Sequence, residues 1–167
     1  MNDVSRLRPA VRALVLDDRG AALLVRLSFP HGAWWVLPGG GIAEGESDHD
    51  ALHRELAEEI GLVGAVIGAH LWTRTHAFDF VDADGTSWSG QRENVYLVRC
   101  AHFVPVPHMS LEELTAENLD EIRWWSADEI CAHAGPDHFA PRDLCMHVRS
   151  VLEHGAPDAP FTIVQQD

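Results

Sequence analysis

The sequence holds no apolar run near the roughly 20 residues that a bilayer-crossing helix requires, so no membrane-spanning helix is expected. Its first residues, "MNDVSRLRPAVRALV", lack a continuous apolar core ahead of a small-residue cleavage site. Export is therefore not expected, and the chain reads as cytoplasmic. Cysteine is scarce: Cys100, Cys131 and Cys145 are odd in number and show no CxxC spacing. That argues against a disulfide frame or zinc knuckle and for free thiols in a reducing compartment. Positive charge is also scarce, with 12 basic residues against 26 acidic ones and a net charge of −14. So acidic a surface repels a phosphate backbone, which sets long nucleic acid aside as a partner. A small phosphorylated ligand stays open if a divalent cation neutralises it locally. GxSxG, a Walker lysine and a dinucleotide GxGxxG context are all missing, and the chemistries they serve fall away with them.

What is present suits one folded domain. The 167 residues are 46% hydrophobic and 23% charged, with no low-complexity block. The domain is expected over 1–155, with 156–167 as a C-terminal tail that "FTIV" could partly order. "VRALVLDDRGAALLVRL" reads as a β-hairpin turning at Asp17–Gly20, and "WWVLPGGG" as a strand stopped by Pro38 and glycines. A helix begins at Ser47, which with Asp50 resembles a capping box, and ends at Gly61, where positive φ is needed. Extended strands follow, broken at "DADG" and "SWSG". "EIRWW" is a further strand, Ser126 and Glu129 cap a helix, and a last helix follows Pro141. Strands on both sides of one acidic helix predict the α/β (α+β) class, a mixed β-sheet sandwiched between α-helices.

The acidic helix poses a physical problem. With Leu52 at zero and about 100° per residue, Leu56 and Ile60 form an apolar stripe at about 40° and 80°, while Glu58, Glu55 and Glu59 fall at about 240°, 300° and 340°. Three carboxylates thus share one arc beside the buried stripe, where their repulsion is worst. A solvated helix would interleave lysines, and Gly39–Leu62 contains none. Hard divalent cations, Mg²⁺ or Mn²⁺, would relieve the crowding. Arg54 can orient a carboxylate, with Glu46 on its other side. Gly39, Gly40 and Gly41 let backbone approach the cluster closely.

These residues resemble the Nudix box, GX5EX7REUXEEXGU with U apolar. Gly40, Glu46, Arg54, Glu55, Leu56, Glu58, Glu59, Gly61 and Leu62 match all nine fixed positions over 23 residues. The resemblance is specific over 40–62 and weaker over about 8–130. It implies a Nudix fold and Mg²⁺-dependent hydrolysis of a pyrophosphate bond in a nucleoside diphosphate linked to another moiety. It further implies Glu55, Glu58 and Glu59 as metal ligands with the Gly40 carbonyl. Catalytic roles fall to Glu55 and Glu58, with Arg54 and Glu46 bracing them, and a homodimer is among the implied states. Family members often draw the general base from a loop ahead of a late tryptophan strand. Spacing to Trp124 favours Glu117 over Glu112, Glu113 and Glu121, and Glu93 is a second candidate.

Trp72 and Phe78 are the expected base-stacking residues among Trp34, Trp72, Phe78, Phe80 and Trp88. Arg26 and Arg74, with Arg92, are the expected phosphate contacts. His49 and His53 stand four apart but turn away from the acids, so packing or solvent suits them better than zinc. Two alternatives remain beside hydrolysis of a small nucleotide derivative. A non-hydrolytic nucleotide sensor would be expected to lose box carboxylates, and an RNA 5′-pyrophosphohydrolase would sit poorly with the net charge. An isopentenyl diphosphate isomerase needs an upstream cysteine, and none precedes Cys100. His76, fifteen residues beyond Gly61, stands where proline would favour ADP-ribose.

Overall fold

A computed structural model describes residues 6–166. Strand β1 (Leu7–Leu16) turns into β2 (Ala22–Phe29) as expected. The buried Asp17 carboxylate accepts from the N–H groups of Arg19 at 2.9 Å and Ala21 at 2.8 Å, and Gly20 takes φ +79°. β1 and β2 pair only at Leu16 and Ala22, then diverge. β3 (Gly32–Val36) stays with β2, while β4 (Gly39–Gly41) takes up the flank of β1 with Gly39 opposite Arg12. Helix α1 (Asp48–Ile60) lies against β1 and β4.

α1 starts where the sequence predicts. The Ser47 hydroxyl accepts the Asp50 N–H at 3.1 Å, although the Asp50 carboxylate takes the Ser47 hydroxyl instead of closing a capping box. Gly61, at φ +72°, ends the helix. Next come β5 (Ile67–Ala77), a small hairpin of β6 (Phe80–Val81) and β7 (Ser87–Trp88), and β8 (Gly90–Arg99). They are followed by α2 (Leu111–Ala116), β9 (Leu119–Trp125), α3 (Ala127–Ala132), β10 (His138–Ala140), α4 (Leu144–His154) and β11 (Phe161–Gln166). The main sheet runs β10-β3-β2-β1-β8-β5-β11, with β4 on β1 and β9 on β2. β8 is parallel to β1 but antiparallel to β5, so the sheet is mixed.

Alternation along β1 gives the sheet two buried faces. Val11, Ala13 and Val15 pack with Leu52, Leu56 and Ile60 of α1. Leu14 and Leu16 pack with Ile130 of α3 and with Leu144, Val148 and Val151 of α4. Helices thus cover both faces, as the pattern of elements predicts.

Two features differ from expectation, and one, the ordering of "FTIV", extends it. "LEELTA", expected as loop, is helix α2, closed by a reciprocal Ser110–Glu113 capping box. "FTIV" in the expected tail is strand β11, which extends the sheet beside β5. The cysteines are not all free: Cys131 and Cys145 form a disulfide joining α3 to α4, and Cys100 is the free thiol. Chain reversal through β10 brings their Cα atoms to 5.2 Å, within bridging range, which sequence separation alone does not disclose. Among the described residues no helix is long and apolar enough to cross a membrane.

Candidate active site

The glycine turn and α1 meet with no room between them. A Cβ on Gly40 would lie 2.7 Å from the Glu55 carboxyl carbon, so any side chain there would displace that carboxyl. The Gly39 N–H donates to Glu59 Oε2 at 2.9 Å. Arg54 spreads its planar fork across the acids. Its Nε and Nη2 take both Glu46 oxygens at 2.8 and 2.9 Å, Nη1 takes Glu55 at 2.7 Å and Glu58 at 3.4 Å, and Nη2 also takes the Gly41 carbonyl at 3.0 Å. Glu46 therefore anchors Arg54, and Arg54 orients Glu55 and Glu58.

The electrostatics separate these acids. Hydrogen bonds from Arg54 and from the Ala43 N–H hold the Glu46 carboxyl down at about 2. Glu55 and Glu59 are 6% and 4% exposed. Burial raises the Glu55 carboxyl despite Arg54. Burial, then the neighbouring charge of Glu55, pushes Glu59 up to about 8, and Arg12 and the Gly39 N–H offset this only in part. Glu117, exposed at the C-terminal end of α2, is near enough for its charge to act on Glu55 and Glu59. Desolvation and the Glu58 charge raise its carboxyl, with Arg8, Arg54 and Arg12 opposing.

Other expected site residues lie elsewhere. Trp72 is fully buried on the α4 face, its ring 5.1 Å from that of His147 and 5.7 Å from that of Phe161, and it is a core side chain. Arg26 points to that same face, alternating with Val25, and is bound by Asp137 at 2.8 Å and Asp120 at 2.8 Å. Arg74 is 5% exposed, with Nε on Gln165 at 2.8 Å and Nη1 on Glu93 at 3.4 Å. Glu93, the second candidate base, is ion-paired to Arg12 at 2.9 Å, and the charges of Arg12 and Arg74 outweigh its burial and hold it ionised. Each of these strands is buried on both sides, so apolar patterning could not say which face a residue joins. Phe78 remains half-buried, stacked 4.8 Å from Phe80. His49 and His53 are exposed, and His49 lies edge-on to Tyr96.

Two arginines of β1 escaped the sequence reading. The Arg8 guanidinium lies against Gly41, where a Cβ would overlap it, and 5.9 Å from the Phe80 ring. Arg12 grips the carbonyls of Leu37 and Gly39. Their spacing of four on a strand, which puts both on one face, was the available signal.

Carboxylates such as Glu55, Glu58 and Glu59, with a backbone carbonyl such as that of Gly40, are oxygen donors of the kind Mg²⁺ and Mn²⁺ take. Among the described residues no three acidic, imidazole or thiol side chains converge on one ion-sized point. Arg54 draws Glu55 and Glu58 toward itself instead. The chemistry of the residues nonetheless fits a cation, because Gly40 lies against the Glu55 carboxyl and burial raises both Glu55 and Glu59, an unfavourable state for carboxylates that positive charge would relieve.

The sequence model of the NUDIX domain family matches residues 6–145. The chain is 44% identical over 71 residues to the RNA pyrophosphohydrolase of Helicobacter pylori, a match covering 41% of this chain and 45% of that protein. It is 32% identical over 132 residues to Nudix hydrolase 25 of Arabidopsis thaliana, covering 72% and 73% of the two chains. The crystal structure of a MutT NUDIX hydrolase from Burkholderia pseudomallei shares the fold, with a TM-score of 0.55 and 24% identity over 86% of this chain and 98% of that one. The chain belongs to the Nudix hydrolase family.

Proposed function

We propose that this protein hydrolyses a pyrophosphate bond in a small nucleotide derivative, a nucleoside diphosphate linked to another moiety, with Mg²⁺ or Mn²⁺ held by Glu55, Glu58, Glu59 and the Gly40 carbonyl. The observation that supports this most is the pair of buried acids, Glu55 and Glu59, packed against a glycine turn in which a Cβ on Gly40 would press on the Glu55 carboxyl. Bound there, the cations would neutralise phosphate oxygens and lower the pKa of attacking water. Arg54, anchored by Glu46, holds Glu55 and Glu58 in orientation. Glu117 takes the proton from the attacking water, a role that suits a carboxyl raised by its surroundings. Arg8 and Phe80, with Phe78 stacked on Phe80, supply a cation and a ring face beside the glycine turn for substrate phosphate and base.

The intact set of box carboxylates favours hydrolysis over a non-hydrolytic sensor. The name of the Helicobacter relative supports a second reading, removal of pyrophosphate from an RNA 5′ end. The charge of −14 opposes it, and a salt titration of RNA binding separates the two, since phosphate contacts weaken steeply with salt. A cytoplasmic location and a homodimer belong to the same proposal. The Cys131–Cys145 disulfide counts against the location, because such bonds are rare in reducing compartments.

Incubating the protein with a panel of nucleotide derivatives plus Mg²⁺ or Mn²⁺, and measuring phosphate release, tests the reading. Glu58→Gln should lower kcat by roughly 10²–10³, the scale of losing one preorganised electrostatic group. Release equal to the parent's would refute the metal assignment. Glu117→Gln should cost about 10² or more. Turnover within a few-fold of the parent would remove Glu117 as base.

A further inference from the structure

We infer that Arg12, held by Glu93, is a positioning residue that sets the Leu37–Gly40 backbone against α1 and so fixes the carboxylates of the active site. Its effect on activity rests on the hydrolase reading above, whereas its geometry stands without it. Arg12 Nη1 donates to the Leu37 carbonyl at 2.7 Å and to the Gly39 carbonyl at 3.4 Å. The Ala13 N–H takes the intervening Pro38 carbonyl at 2.9 Å. Three successive carbonyls are thereby held by two residues of β1. Pro38 offers no N–H of its own, so its carbonyl and those beside it are the handles by which this turn can be gripped.

Gly39 joins the two sides. Its carbonyl meets Arg12, and its N–H meets Glu59 on α1 at 2.9 Å. With φ at +144°, and with a Cβ that would lie 2.6 Å from the Arg12 Cα, residue 39 accepts only glycine here. A shift of the Arg12 side chain would therefore pass directly to Glu59 and to Gly40, whose backbone abuts Glu55.

Glu93 keeps Arg12 in place. Its Oε1 accepts from Arg12 Nε at 2.9 Å and from Gln91 at 2.7 Å, while Oε2 faces Arg74 at 3.4 Å. Arg74 alone could compensate Glu93, so charge balance does not explain why Arg12 also reaches two carbonyls. The guanidinium explains it: Nε serves the carboxylate while Nη1 serves the backbone, a division that a lysine's single ammonium cannot make.

Arg12→Lys and Arg12→Gln in the full chain test the inference, with Glu58→Gln as control. The readouts are amide hydrogen exchange without metal, Mn²⁺ affinity by electron paramagnetic resonance, Tm, and kcat and KM. The lysine variant keeps a positive charge beside Glu93 and guards against misfolding in the glutamine variant. We expect Arg12→Lys to keep a Tm near the parent's, yet to exchange the 39–41 amides at least tenfold faster with β5 unchanged. Mn²⁺ should bind about 10- to 100-fold more weakly, the usual cost of losing an outer support of metal ligands. The loss should appear in kcat more than in KM. Parent-like exchange at 39–41 together with parent-like Mn²⁺ affinity in Arg12→Lys would overturn the inference. If the parent binds Mn²⁺ no better than Glu58→Gln does, the metal reading falls, and the exchange arm still decides what Arg12 does.

Discussion

Glu93, on the side of β8 that carries Val95 and Leu97, and Glu59, on α1 itself, are buried alike at 5% and 4% exposure, yet their carboxyls move in opposite directions. Burial pushes Glu93 up, but Arg12 and Arg74 outweigh it and hold the group below the usual range. Burial pushes Glu59 to about 8, and the repulsion of Glu55 adds to it. On the first face Arg26 is likewise matched, by Asp137 and Asp120. Buried charge that is fully paired serves architecture, whereas removing one partner would be costly. Buried acids left short of partners are the pattern that marks a candidate functional site. The comparison explains why Arg26 and Arg74, plausible phosphate contacts by type, belong to the framework.

The contrast can be broken most severely at Trp72. Trp72→Ala opens a cavity in the paired face and should cost about 3–5 kcal/mol of stability in denaturant unfolding, with kcat per folded molecule unchanged. A kcat loss larger than the folded fraction explains would give that face a catalytic role. Gly40→Ala probes the other face, since its Cβ would press on the Glu55 carboxyl. It should lower kcat by about 10², the cost of displacing a reacting group by an ångström. A parent-like rate would show that the turn need not touch Glu55.

The smallest effect lies in the pH dependence of Tm. Glu59 is raised from 4.5 to about 8 on folding, so its contribution is complete below 4.5 and lost as pH rises through about 8. Glu93 is lowered from 4.5, so its contribution is present above 4.5 and lost as pH falls through its folded value. Metal-free Tm should decline on both limbs. Glu59→Gln should flatten the alkaline limb alone, and Glu93→Gln the acid limb alone. Mg²⁺ should also reduce the alkaline decline, because a cation stabilises the charged form. The same limb altered by both variants would mean that the two acids are not separately compensated.

Much of the α1 face was legible because its signals are local. The Ser47 cap, the Gly61 stop and the helical spacing of Glu55, Glu58 and Glu59 all lie within sixteen residues. The opposite face depends on distant partners. Nothing near Arg26 announces Asp137, and nothing near Arg74 announces Gln165. Helix α2 did carry a local sign, Ser110 followed by Glu113, but its glutamates read as loop candidates for the general base, not as a helix start. β10 has only three residues, and β11 lies in a segment that read as a tail. Both pair in parallel with strands far away in sequence. Three cysteines suggested no pairing by count, and only the path from α3 to α4 brings two together.

That last pairing has a consequence for handling the molecule. Arg142 lies exposed inside the loop that Cys131 and Cys145 close, with a trypsin-cleavable bond on its C-terminal side. A nick there would leave both fragments covalently tethered. Such material would migrate as one intact species on a non-reducing gel, and only added thiol would release the C-terminal piece that carries α4 and β11.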